Sequence, residues 1–212
     1  MRHPARYLAI LAVLTPLSLA FPIGGQENRT EDSQQAPRTS WRRYDEGPLA
    51  ASDFQAEVPD SRDTSRIGSG NIPLTAYTFT EIRYDTRSQV TRTRDRWTAR
   101  LLTAEAYGVI LRDRSWNLKP NDQRLLEHEQ GHFDITHAAA LTVQLRLDEL
   151  LRSRRIPVGV GKTSAAAIAK LEESLRAELK PLFDGHVQAQ TEYDRITRHG
   201  ANRSAQEQQR QR

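Results

Sequence analysis

Residues 125–136 read LLEHEQGHFDIT and contain His128, Glu129 and His132 in the order HExxH. On a helix of about 3.6 residues per turn, positions four apart share a face, so the two imidazoles stand one turn apart, where a single tetrahedral metal ion takes both. Glu129 projects to the side of that pair and can remove a proton from a water on the same ion. Leu125, Leu126, Phe133, Ile135 and residues 138–141 form an apolar helical background, in which an unpaired polar cluster would be costly. The competing reading is a structural histidine pair on a solvated helix face.

A catalytic zinc takes three protein ligands and one water. The sequence has no cysteine, which excludes thiolate ligands and disulfides together, so the third donor must be His, Asp or Glu. The histidines are His3, His128, His132, His137, His186 and His199. His137 lies five residues beyond His132, about 140° round the helix, and lacks the glycine turn of HExxHxxGxxH enzymes. It reads as a surface or supporting residue. The candidates that remain are in the last part of the chain: His199, Glu192, Asp194 and His186. Asp134 could fix the tautomer of a ligand histidine, and Tyr193 could donate a hydrogen bond to the oxyanion of an attacked carbonyl. Gly131, without a side chain, leaves room beside the ion for substrate or a neighbouring strand.

The stretch LLEHEQGHFDIT closely resembles the signature of a bacterial family of secreted proteases regarded as zinc-dependent, many of whose members are known only as a domain of unknown function. Residues 49–54 (LAASDF), Ser115-Trp116 and residues 193–200 (YDRITRHG) agree with it, so the resemblance covers most of the chain after residue 40. It departs after Gly200, where the family carries a tryptophan and this chain only polar residues. The resemblance implies a zincin-like metalloprotease. Because His199 closes the YDRITRHG block, where a helix end can deliver an imidazole across a cleft, His199 is the expected third ligand.

Elements must position these groups. Residues 74–84, rich in Thr and aromatics, predict a strand with a bulge or bend between Phe79 and Ile82. Arg92 to Leu101 alternates arginine with apolar residues and predicts a second strand, and residues 101–110 either continue it, the preferred reading, or form a short helix. Pro120, Asn121 and Asp122 open a helix of roughly 30 residues that carries HExxH. Residues 159–163 (GVGKT) resemble the end of a phosphate-binding loop, but Ile156 stands where GxxxxGK[ST] needs glycine. They read as a flexible turn between helices. Thr163 or Ser164 caps the next helix, Pro181 bends or restarts it, and a last helix runs from Phe183 to His199 and ends at Gly200.

The flanks set the context. Arg2, His3 and Arg6 precede a brief apolar run carrying Pro16, so residues 1–20 read as a secretory signal peptide, residues 21–40 as a flexible linker and residues 201–212 as a disordered tail. Residues 59–73 read as a surface loop. The net charge of +4 comes almost wholly from arginines spread along the chain, with four lysines among 31 basic residues, which argues against a phosphate-binding patch. The expectation is a secreted or periplasmic α+β zincin-like domain over residues 41–200: a small antiparallel sheet, the HExxH helix, then C-terminal helices. It binds Zn2+ through His128, His132 and His199 and cleaves a peptide or protein with Glu129 as base and Tyr193 as oxyanion donor. No nucleic-acid partner is expected, nor stable membrane association once the signal is cleaved. The alternative is a non-catalytic metal-binding envelope or extracellular protein that keeps the HExxH helix.

Overall fold

The computed structural model describes residues 40–58, 74–153 and 157–211. The expected signal peptide, most of the linker and the loop 59–73 lie outside them. Among the described residues six strands and three α-helices follow in α+β order: β1 (Trp41–Arg43), β2 (Ala76–Tyr77), β3 (Thr80–Thr93), β4 (Arg96–Leu111), β5 (Trp116–Asn117), α1 (Gln123–Arg152), β6 (Val158–Gly161), α2 (Ser164–Thr197) and α3 (Arg203–Arg210). β3 and β4 form a long antiparallel hairpin, paired from Thr80 with Ile110 to Thr93 with Arg96. On the far side of β4, β1 pairs near the base of the hairpin and β6 near its tip. β2 and β5 make a separate two-stranded sheet.

Strand alternation sorts the hairpin's faces. Tyr84, Ala99 and Leu101 are buried against α1 and α2, in a cluster with Val143, Leu147, Leu171, Leu175 and Leu179. On α1 the buried residues Thr136, Ala140, Val143, Leu147 and Leu150 recur every three or four positions, the spacing of one helix face. A smaller cluster of Leu49, Ile110 and Phe133 lies under the first described residues. Leu147 is fully buried, so Leu147→Ala should cost about 3 kcal/mol and lower Tm by roughly 6–12 °C. A melt monitored by circular dichroism checks this, and a loss under about 1 kcal/mol would show that this cluster is not the core.

Four sequence expectations are corrected. Arg92 to Leu101 is not one strand, because the chain reverses at Arg94 and Asp95, with Arg94 at φ 52°. Residues 91–96 are all exposed, so alternation with the core says nothing about where the turn falls. Residues 158–161 form strand β6 rather than a turn between helices. A Cβ on Gly159 would meet the Ala167 carbonyl oxygen at 1.8 Å, and one on Gly161 the Ala167 nitrogen at 2.7 Å, so the glycines let β6 lie directly on α2. α2 runs through Pro181 without restarting. Proline gives no N–H to the carbonyl four residues back, but residues 177 and 181 are both exposed and water can take that carbonyl. Finally, residues 203–210 of the expected disordered tail are helical: Asn202 caps α3 by accepting from the Ala205 amide at 3.2 Å, and Gln206 is buried.

The strand expected over residues 74–84 breaks at Thr78 and Phe79, just before the expected bend. The Phe79 amide donates to Ser115 Oγ at 2.9 Å, Tyr77 pairs with Trp116, and Ser115 Oγ donates to the Leu111 carbonyl. Ser115-Trp116 thus fixes the path of residues 77–79. In LAASDF, Asp53 accepts from the Ala50 amide and pairs with Arg42 at 3.0 Å and Arg112 at 3.3 Å. Both motif blocks are structural supports for what lies between β2 and α1.

Candidate metal centre

Asp122 caps α1 by accepting from the Arg124 and Leu125 amides, which sets the helix phase that carries His128 and His132 inward. Opposite them runs the last third of α2. The two helices bring His128 Nε2 to 3.2 Å and His132 Nε2 to 3.0 Å from Asp194 Oδ1. These three residues each offer a ligand atom within 4.8 Å of the others and could hold a metal ion. Two neutral imidazole nitrogens and one carboxylate oxygen form a donor set that suits Zn2+ and other first-row divalent ions.

The third member of this group is Asp194, the carboxylate alternative, while His199, the expected third ligand, lies outside it. α2 ends in a left-handed turn, with Arg198 and His199 at φ 51° and Gly200 at φ 80°. The His199 amide donates to the Asp194 carbonyl, and its ring places Nδ1 3.2 Å from Asp194 Oδ1, outside the three-donor group. His199 therefore braces the carboxylate. The turn also lays Gly200 on the ring of His128, where a Cβ would come within 3.2 Å. Glu192 is exposed and paired with Arg195. His186 faces Thr136 and Gln190 instead of the donor group.

Tautomers are set by neighbours. His132 Nδ1 lies 2.6 Å from Gln190 Oε1, an oxygen that can only accept, so Nδ1 carries a proton and Nε2 is the nitrogen that gives up its proton when the ring becomes neutral. The Gln190 amide nitrogen donates to the His132 carbonyl at 2.9 Å and to His186 Nε2 at 3.0 Å. Burial and the charge of His132 push the His186 pKa down to about 4, which keeps its ring neutral as that acceptor. Asp134, expected to do what Gln190 does, points the other way and accepts from Tyr44 Oη at 2.9 Å and Gln130 Nε2 at 2.6 Å. Its helix phase puts it on the face packed by the first described residues.

Tyr193, the expected oxyanion donor, stands behind His128. It is buried, its ring stacks on His128 at 5.0 Å, and its hydroxyl donates to the His128 carbonyl at 3.3 Å. A Cβ on Gly131 would lie 2.1 Å from that hydroxyl oxygen, so the glycine makes room for Tyr193 rather than for substrate. Tyr193 thus supports His128 from behind and is not among the residues that line the cavity.

Glu129 is buried beside the donors and accepts from Thr78 Oγ1 at 2.5 Å. Thr78 sits at the break between β2 and β3, which Ser115 and Trp116 hold in place. Tyr77, Thr78, Glu129, the two histidines and Asp194 share one cavity of about 610 Å³, walled by residues 74–80 on one side and by the end of α2 on the other. No motif or spacing singled out Tyr77 or Thr78 as part of the site. Gln190 had a signal, since it precedes Asp194 by four residues just as His128 precedes His132.

Charge couples the donors. Burial disfavours the imidazolium of His132, but hydrogen bonding to Asp194 and the nearby charges of Glu129 and Asp194 outweigh it and hold its pKa above the ordinary 6.5. Burial likewise disfavours the Asp194 carboxylate, yet bonds from His128 and His132 keep its pKa well below the usual carboxylate range. Without metal, the raised His132 pKa contributes stability that is full below pH 6.5 and is lost as pH rises through the folded value. The depressed Asp194 pKa contributes stability above its ordinary 3.8 that is lost as pH falls through the folded value. A metal needs His132 deprotonated, so affinity should fall by up to about tenfold per pH unit as pH drops through the raised value. Thermal shift with and without zinc, between about pH 5.5 and 8, should show metal stabilisation growing with pH. A flat response would contradict the coupling. No family model, curated protein or solved structure matches this chain.

Proposed function

We propose that this chain is a secreted zinc-dependent peptidase. The observation that carries the reading is a carboxylate that is not a ligand, Glu129, buried beside three metal donors on one cavity. His128, His132 and Asp194 hold the ion. Bound zinc supplies Lewis acidity, polarising the scissile carbonyl and lowering the pKa of a water towards about 7. Glu129 accepts the proton of the attacking water and returns it to the departing amine. Thr78 donates to Glu129 Oε2 and so leaves the other oxygen for that transfer. Tyr77, on the same cavity, takes the place expected of Tyr193 as a hydrogen-bond donor to the carbonyl oxygen. The wall formed by residues 74–80 offers main-chain groups to an extended peptide.

A purely structural ion would be closed by a fourth protein donor, and among the described residues the group has three. Two imidazoles and a carboxylate also serve mononuclear iron sites, so elemental analysis of the purified chain belongs in the test. Chelator treatment should abolish hydrolysis of an unfolded protein substrate, and one equivalent of zinc should restore it. Hydrolysis that persists after the metal is gone, or iron as the resident metal, would overturn the proposal.

A further inference from the structure

The tip of the β3/β4 hairpin has no part in the metal centre. Residues 87–103 contain Arg87, Arg92, Arg94, Arg96 and Arg100 against a single acid, Asp95, a surplus equal to the net charge of +4 of the entire chain. Along the sequence these arginines read as scattered, but the hairpin folds them together. Strand alternation, with Ala99 and Leu101 turned to the core, puts Arg87, Arg96 and Arg100 on the outer face. Arg92 lies over the ring of Trp97. Arg87, Arg94, Arg96 and Arg100 make no ion pair among the described residues. At the base of the same hairpin the charges are already matched: Arg43 pairs with Glu105, Arg83 with Glu81, and Asp85 accepts from Tyr107. Within the hairpin, among the described residues, positive charge without an ion-pair partner is therefore confined to the tip.

Apolar surface lies beside it. β6 runs along β4 with Val158 opposite Arg100 and Val160 opposite Thr98. Its two glycines face α2, so the valines face outward and are 37% and 38% exposed. Leu102, the extra residue at the β-bulge, is 55% exposed. Three aliphatic side chains among unpaired arginines have nothing to bury into on a nucleic acid, and the outer face of the tip carries no aromatic on which bases could stack. A bilayer surface takes both kinds of group: anionic headgroups take the arginines, and the acyl boundary takes the aliphatics. β3 is 14 residues long from Thr80, on the cavity, to Thr93 at the tip, about 40 Å at the usual rise, so contact at the tip leaves the cavity open.

We infer that the outer face of the hairpin tip, with β6, docks this protein peripherally on membranes rich in anionic phospholipid. The test is co-sedimentation of the full chain with vesicles of phosphatidylglycerol and phosphatidylcholine in about equal parts, against phosphatidylcholine alone. Every arm uses the full chain, so its N-terminal residues contribute equally throughout. The wild type should prefer the anionic vesicles, and this preference should shrink as salt rises from about 0.1 to about 0.5 M. Each arginine should contribute about fivefold, so Arg87→Gln, Arg96→Gln and Arg100→Gln combined should lower partitioning by about a hundredfold, whereas the three Arg→Lys changes should largely keep it. Leu102→Ser with Val160→Ser should weaken binding about tenfold without flattening the salt dependence. All these positions are exposed, so melting temperatures should match the wild type. Equal binding to both vesicle types, unchanged partitioning of the triple Gln variant, or a short DNA duplex that outcompetes the anionic vesicles would each overturn the inference.

Discussion

Glu129→Gln should leave the protein folded and loaded with one equivalent of metal while lowering hydrolysis by about 10²–10⁴-fold, the usual contribution of a positioned general base. The substitution is isosteric, and the Thr78 hydroxyl that donates to Glu129 Oε2 can donate equally to an amide oxygen, so the buried contact survives. The candidate ligands His128, His132 and Asp194 are untouched. What disappears is the only change the variant makes to the chemistry: an amide cannot accept the proton of the attacking water. Thr78→Val should give an intermediate loss, because it removes the hydroxyl that orients the base but keeps the base itself. Elemental analysis together with turnover of an unfolded protein substrate reads both halves of the prediction. Turnover within about fivefold of wild type would remove Glu129 from the mechanism, and loss of the metal would make it a structural or ligating residue instead.

The α1 half of this site could be read from the sequence because it is local. HExxH places two rings and a carboxylate by helix geometry alone, and the Asn-Asp start and apolar stripe fixed the length and phase of that helix. The α2 half could not be read in the same way. Whether Asp194 or His199 faces the imidazoles depends on where α2 stops, and it stops in a turn where two residues other than glycine take left-handed conformations, which no local preference announces. Pro181 added a false break, since a proline on a solvated face does not end a helix held by Leu175 and Leu179 on its buried side. The hairpin turn at Arg94-Asp95 lacks glycine and asparagine and lies where every residue is exposed, so neither turn chemistry nor burial marked it. Residues 159–163 read as a flexible turn between helices, but Gly159 and Gly161 are instead what the close approach of β6 to α2 requires.

The choice between Asp194 and His199 has a measurable consequence. If Asp194 is the third ligand, Asp194→Ala leaves only His128 and His132, and zinc affinity should fall by well over a hundredfold, beyond what removing a supporting group costs. His199→Ala should cost about tenfold to a hundredfold, because it removes a brace at 3.2 Å from the carboxylate and no donor from the group. Gln190→Ala should behave like His199→Ala, since it frees the His132 ring without removing a ligand. Competition with a chromophoric chelator ranks the three variants, and melting without metal shows whether each still folds. The two acidic-side effects also separate: without Asp194, His132 loses the partner that raises its pKa, so the remaining weak binding should persist to lower pH than in the wild type. Zinc bound at near wild-type strength by Asp194→Ala and lost by His199→Ala would reverse the assignment and return the third position to the imidazole.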